Sequence, residues 1–144
     1  MEKVSLDQAL GRVLVEDVIS QINNPPLDNS AMDGYALVAS DIKSATPENP
    51  VQLEVVEEIA AGYTAKGTLK PGQAMRIMTG APIPSGANAV LMQEDTEKKG
   101  PSILCMDKAD NQENIREAGE DVKVGETVLK KGATLSPAHI GMLA

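Results

Sequence analysis

Punctuation by glycine and proline limits this chain more than any other feature. Twelve Gly and nine Pro divide its 144 residues into short apolar runs. The runs at 12–19, 35–39, 51–59, 74–78, 89–92, 102–106 and 127–129 are of strand length and are bounded by turn signals. Lys70-Pro71-Gly72-Gln73 places Pro and Gly where a type II turn wants them. The segment 93–101 reads as a charged turn, and 134–135 as one more short strand. Helix signals occur only at the two ends. Ser5 with Gln8 forms a capping-box pattern that Gly11 closes. Ser136-Pro137 places an N-cap before a first-turn proline, with Leu135 and Ile140 spaced for a hydrophobic staple. The expected fold is therefore mainly β with short helices (α+β). A β-barrel-like domain is inserted into a small elongated α/β subdomain built from the chain ends. The sequence stops at Ala144 inside its last helix, without a C-cap signal, so it reads as the front part of a longer protein.

The core of such a chain must be aliphatic, since Phe and Trp are missing and Tyr35 and Tyr63 are the only aromatic residues. Base stacking is a poor option without aromatics, and a net charge of −8 with no Lys/Arg cluster opposes nucleic acid and anionic membranes alike. No apolar run approaches the length of a membrane span, and the N-terminus lacks a signal-peptide pattern. A single cysteine, Cys105, allows no internal disulfide, and one Cys with one His builds no zinc site. Cys105 lies in the apolar run 103–106 and reads as a buried thiol. These features together suggest a soluble protein of the reducing cytoplasm.

Polar chemistry concentrates in the stretch from Asn24 to Tyr35. Pro25 and Pro26 stiffen the approach, and Asp33-Gly34 is a turn signal in which Gly supplies positive φ. Such a loop presents Asp28, Asn29, Ser30 and Asp33 together. Its carboxylates could bind Mg²⁺, which is commonly held by one or two carboxylates plus water and substrate oxygens. The structural alternative has Asp28 capping a helical turn at 30–32 while Asp33-Gly34 only turns the chain. The loop Thr79-Gly80-Ala81-Pro82 could offer a hydroxyl and free backbone amides to an anion, or simply link two strands. It matches neither a Walker A loop nor a dinucleotide fingerprint. Arg116, Glu120 and Asp121 could form a salt-bridge cluster or contact a ligand, or be no more than solvated charge on a loop, and His139 has no partner in sequence. No nucleophile–base pair is visible, so hydrolase chemistry is disfavoured.

Three segments then resemble the signatures of one family. Pro25-Pro26-Leu27-Asp28-Asn29-Ser30-Ala31-Met32-Asp33-Gly34-Tyr35-Ala36 is similar to the first signature of the MoeA family, which includes the E domain of gephyrin. The segment from Arg76 through Thr79-Gly80-Ala81-Pro82 to Gln93-Glu94 resembles the second. Asn114-Ile115-Arg116 with Gly119-Glu120-Asp121 resembles the third. Order and spacing agree across essentially the whole chain.

The resemblance implies a molybdopterin molybdenumtransferase. Such an enzyme inserts molybdate into adenylyl-molybdopterin and releases molybdenum cofactor and AMP, assisted by Mg²⁺ or a similar divalent ion. It implies domains I and II only: 1–27 with 115–144 as an elongated domain I truncated at its C-terminus, and 28–114 as the barrel-like domain II. The pterin-binding domain is missing, so these 144 residues alone are expected to be inert. In the family the active-site cleft lies between two subunits of a homodimer. Carried over by motif, Asp33 and Thr79 are the catalytic candidates, Asp33 also as a metal ligand. Asp28, Asn29, Ser30 and Gly80 are substrate-binding candidates. Gln112 and Glu117 stand where relatives often have Gly and a basic residue. A basic contact from the third motif to an anion is therefore not expected. The competing reading is a non-catalytic β-barrel module for interaction or linkage. An open groove shared by Asp33 and Thr79 would favour the enzyme.

Overall fold

The computed structural model describes residues 1–144. Ten strands run in chain order: β1 (Val18–Ile19), β2 (Asn29–Ser30), β3 (Gly34–Leu37), β4 (Val51–Ile59), β5 (Gln73–Ile77), β6 (Ala89–Met92), β7 (Thr96–Lys99), β8 (Ser102–Cys105), β9 (Ile115–Arg116) and β10 (Thr127–Leu129). One α-helix, α1 (Pro137–Leu143), follows. Two compact units result: residues 27–118, and residues 1–26 with 119–144. The fold is mainly β, as expected, with a curled, half-barrel sheet in the inserted unit.

That sheet has the order β6-β3-β5-β4-β8-β7. Its central strands are buried on both faces, and period-two alternation sorts their side chains. Tyr35, Leu37, Ala74, Ala89 and Leu91 join Leu53, Ile103 and Cys105 in one cluster. Ala36, Met75, Ile77 and Val90 join Ile59, Leu69 and Ala81 in the other. Strand β4 serves both clusters because its register shifts between Val55 and Glu57. One extra residue inverts the alternation, so Leu53 and Ile59 point to opposite faces. From Glu54 to Ile59, across the bulge, β4 runs parallel to β5, whereas every other pairing in the sheet is antiparallel. The turn before β5 forms as the sequence predicts: Gln73 N–H donates to the Lys70 carbonyl at 3.1 Å, and Gly72 has φ +79°.

Two expectations for this unit are corrected. The segment 93–101 is not merely a charged turn. A 3-10 turn at Gln93–Asp95 leads into β7, which pairs with β8 through Thr96↔Cys105 to Lys99↔Ser102. Its Lys98 and Lys99 lie on the sheet edge, where charge suits solvent and discourages further pairing. Gly34 does not supply positive φ either. It opens β3 in extended pairing with Ile77 and Met92. A Cβ there would lie 2.1 Å from the Leu91 carbonyl oxygen, so glycine is required by the closeness of β6.

The unit of 1–26 with 119–144 is held by β1 paired with β10 and by a small cluster of Ala9, Leu129 and Leu135. The strand expected over 12–19 shrinks to β1 and one bridge between Val13 and Thr134, which also takes the place of the expected strand at 134–135. Residues 6–8 form a single 3-10 turn in which Ser5 makes no side-chain cap, so the capping box there is absent. At α1 the cap is present. The Ser136 hydroxyl accepts from His139 N–H, and Ser136 N–H donates to His139 Nδ1 at 3.2 Å. His139 thereby finds its partner in the helix cap, and Ile140 packs against the cluster that contains Leu135.

Candidate functional site

Within the unit of 27–118 the parts of the three motifs that it contains meet edge to edge. Strand β2 lies between the second and third of them. On one side Gly80 N–H donates to the Ser30 carbonyl at 2.8 Å, Ser30 N–H to the Ala81 carbonyl at 3.0 Å, and Ile83 N–H to the Asp28 carbonyl at 3.0 Å. On the other side β2 pairs with β9, matching Asn29 with Arg116 and Ser30 with Ile115. Ser30 is 1% exposed, and its hydroxyl donates to the Met32 carbonyl at 2.6 Å, which shapes the turn into Asp33. The expected helical turn at 30–32 is therefore absent. Asp28 caps no neighbour of its own; its Oδ1 accepts from the distant Ala118 N–H at 2.7 Å. Asn114, at φ +56°, closes the third motif onto the first: its Nδ2 donates to the Val90 carbonyl, and its carbonyl accepts from Ala31 N–H.

Asp33 and Thr79 lie at the exposed end of this assembly. Met78 to Ala81 form a tight turn closed by Ala81 N–H to the Met78 carbonyl at 2.9 Å, with Gly80 at φ +80°. That φ is what the third position of a type II turn requires. The turn sets Thr79 at a corner, where its N–H and its hydroxyl both donate to Asp33 Oδ1, each at 2.8 Å. Oδ2 takes neither bond. Both residues are exposed.

The Thr79 amide, above all, holds the Asp33 carboxyl below the ordinary carboxylate range. The Thr79 hydroxyl and the Arg76 charge act in the same direction, while partial desolvation opposes them. Asp33 is thus ionised at neutral pH. Because its folded value is depressed, its bonds to Thr79 stabilise the fold fully above the ordinary value of 3.8 and are lost as pH falls through the lower folded value. Thr79→Val removes one donor and keeps the amide. The carboxyl resonance of Asp33 is expected to titrate at higher pH in that variant. An unchanged midpoint in an NMR titration would contradict this.

The loop's backbone cannot act as an amide nest, which corrects one expectation. Thr79 N–H is committed to Asp33, Gly80 N–H to Ser30, Ala81 N–H to Met78 and Ile83 N–H to Asp28, and Pro82 has none. What the site presents is an ionised carboxylate and one hydroxyl. No group of three or more His, Cys, Asp or Glu side chains is gathered to hold a metal ion. Cys105 is fully buried, and burial pushes its thiol up to about 12, so it contributes no nucleophile.

Arg76 and Gln93 fall within the second motif, but sequence reasoning assigns them no role. Arg76 Nη1 donates to the Gly34 carbonyl at 2.9 Å, and Nη2 to Gln93 Oε1. Its guanidinium lies 5.1 Å from the centroid of the Tyr35 ring. Gln93 N–H in turn donates to the Asp33 carbonyl at 3.1 Å. Pairing of Tyr35 with Arg76 across β3 and β5 is the one signal that could have found them, and it needs the strand register to be known.

Comparison with known proteins covers the whole chain. Residues 1–144 match the family described as the MoeA N-terminal region (domain I and II). Molybdopterin molybdenumtransferase 2 of Mycobacterium tuberculosis is 48% identical over 141 residues, which are 98% of this chain and 35% of that protein. The molybdopterin molybdenumtransferase of a Nostoc species is 43% identical over 143 residues, 99% of this chain and 33% of its own length. The crystal structure of the molybdopterin biosynthesis MoeA protein from Pyrococcus horikoshii OT3 superposes with a TM-score of 0.95 at 46% identity, covering 99% of this chain and 38% of that one. The chain therefore spans about a third of the length of these curated relatives. No helix is long and apolar enough to cross a membrane.

Proposed function

This chain belongs to the MoeA family as its N-terminal region (domain I and II), and on that premise we propose that it supplies one wall of a molybdate-inserting active site. The parent protein acts in molybdenum cofactor biosynthesis. It inserts molybdate into adenylyl-molybdopterin and releases molybdenum cofactor and AMP. The unit of 27–118 serves as domain II and the unit of 1–26 with 119–144 as domain I. The observation that carries the reading is the exposed Asp33–Thr79 pair, held at 2.8 Å by three converging motifs.

The charges define each role. Molybdate and the pterin phosphates are anions, and Asp33 is ionised, so direct approach is repulsive. A divalent ion such as Mg²⁺ neutralises charge between them when bound. The residues present fit it in one limited way: Asp33 supplies a single carboxylate, and substrate oxygens and water supply the rest. Thr79 orients the carboxylate through its N–H. That bond is independent of the side chain, so the hydroxyl can turn to an oxygen of the incoming anion while Asp33 stays in place. Asp28, Asn29, Ser30 and Gly80 act at one remove. Their backbone ladder and the Asp28–Ala118 bond hold the two loops together rather than reaching a ligand.

The remaining ligand contacts belong to parts of the parent protein outside these residues, including a second subunit of a homodimer in the cytoplasm. The test compares the parent protein with the 144-residue chain, supplied with adenylyl-molybdopterin, a divalent ion and molybdate. Molybdate-dependent AMP release is expected from the parent and none from the chain. A parent that releases no AMP on molybdate addition would overturn the reaction, and turnover by the chain alone would overturn the divided site.

A further inference from the structure

The geometry points to Arg76 as a positioning residue that fixes the backbone carrying Asp33, acting through Gly34 and Gln93 without touching the ligand. Besides the strand pairing of Gly34, four hydrogen bonds hold Asp33 and its neighbour. The side chain takes two from Thr79, the Asp33 carbonyl takes one from Gln93 N–H, and the Gly34 carbonyl takes one from Arg76 Nη1. Arg76 is the only side chain among these partners that reaches two strands beside its own. From β5 it contacts the start of β3 through Gly34 and the residue following β6 through Gln93. The Tyr35 face beneath the guanidinium limits its alternative positions.

The planar fork explains why arginine stands here. One ammonium group is a point charge and cannot offer two fixed, divergent N–H donors in one plane. Gln93 joins the two halves of the clasp, since its side chain accepts from Arg76 while its N–H holds the Asp33 carbonyl. Loss of the fork removes the side-chain tether on Gln93 and weakens support for its N–H bond to the Asp33 carbonyl, while Thr96 still holds the Gln93 carbonyl. The Arg76 charge also favours the ionised Asp33, but that effect needs no fork. The two contributions are therefore separable by substitution.

The activity part of this role rests on the reaction proposed above, while the positioning part does not. Arg76→Lys and Arg76→Gln are made in the 144-residue chain and in the parent protein. Hydrogen exchange of the Gln93 amide is then followed in the chain. The Gln93 amide is expected to exchange about 10-fold faster in both variants, as loss of support for one hydrogen bond implies. In the parent, both variants are expected to lower kcat for AMP release by about 10-fold to 100-fold, the scale set by a misplaced reacting group. Wild-type exchange at Gln93 in Arg76→Lys would overturn the positioning role, whatever the activity. Faster exchange in both variants with an unchanged kcat would leave the clasp standing and overturn its part in the reaction.

Discussion

Gly34→Ala is expected to destabilise the unit of 27–118 by about 3 kcal/mol or more, at the upper end of overpacking effects. The new Cβ would lie 2.1 Å from the Leu91 carbonyl oxygen and 3.0 Å from its carbon. Backbone in the middle of a sheet cannot rotate away as a side-chain tip can. Relief requires β3 and β6 to separate, which disrupts the pairs Gly34↔Met92 and Tyr35↔Leu91. With a urea m-value of about 1–3 kcal/mol/M, the midpoint should fall by roughly 1 M or more. Gly80→Ala provides the contrast. Nothing lies within 4 Å of its new Cβ, so only its φ of +80° opposes the substitution. That strain costs about 1–2 kcal/mol. Equal midpoints for the two variants would contradict the assignment of Gly34 to close approach.

The second large effect is catalytic. Asp33→Asn in the parent protein is expected to lower molybdate-dependent AMP release by about 10²–10³-fold, the usual scale for removing one electrostatic group from a preorganised site. The substitution is nearly isosteric, and the amide oxygen of Asn can still accept from Thr79 N–H. Folding should therefore be preserved, and urea unfolding of the 144-residue chain should show little change. What is lost is charge and, in the role proposed for Asp33, affinity for a divalent ion. Raising the concentration of that ion is expected to recover part of the rate. Loss of rate together with loss of folding would assign Asp33 to the scaffold instead.

Much of the sheet is legible in the residues themselves. Residues 51–59 alternate and 89–92 form a bounded apolar run, so packing and pattern agree there. The Lys70–Gln73 turn and the Ser136 cap are readable because each uses residues within one local turn. Strand β7 is not readable, since an edge strand satisfies its backbone while leaving charged side chains in water. The parallel run of β4 beside β5 stays hidden because local turn chemistry says nothing of long-range register.

The site divides in the same way. Motif order points to Asp33 and Thr79, yet their bond depends on strands 46 residues apart in sequence. Asp28 shows the limit most clearly. Its chemistry suggests a cap, and it is one, but for an amide 90 residues away. The free amides expected in the 79–82 loop fail for a related reason. Every buried or paired N–H must find an acceptor, and β2 supplies one that the local sequence does not show.

The central claim is that Asp33 and Thr79 act as one unit in molybdate insertion. A double-mutant cycle on molybdate-dependent AMP release tests it most directly, with Asp33→Asn, Thr79→Ala and the double variant in the parent protein. In the proposed role both groups hold one incoming anion, Asp33 through the divalent ion and Thr79 through its hydroxyl, so the losses should be non-additive and the double variant about as slow as Asp33→Asn alone. Additive losses, or a wild-type rate in Asp33→Asn, would contradict it.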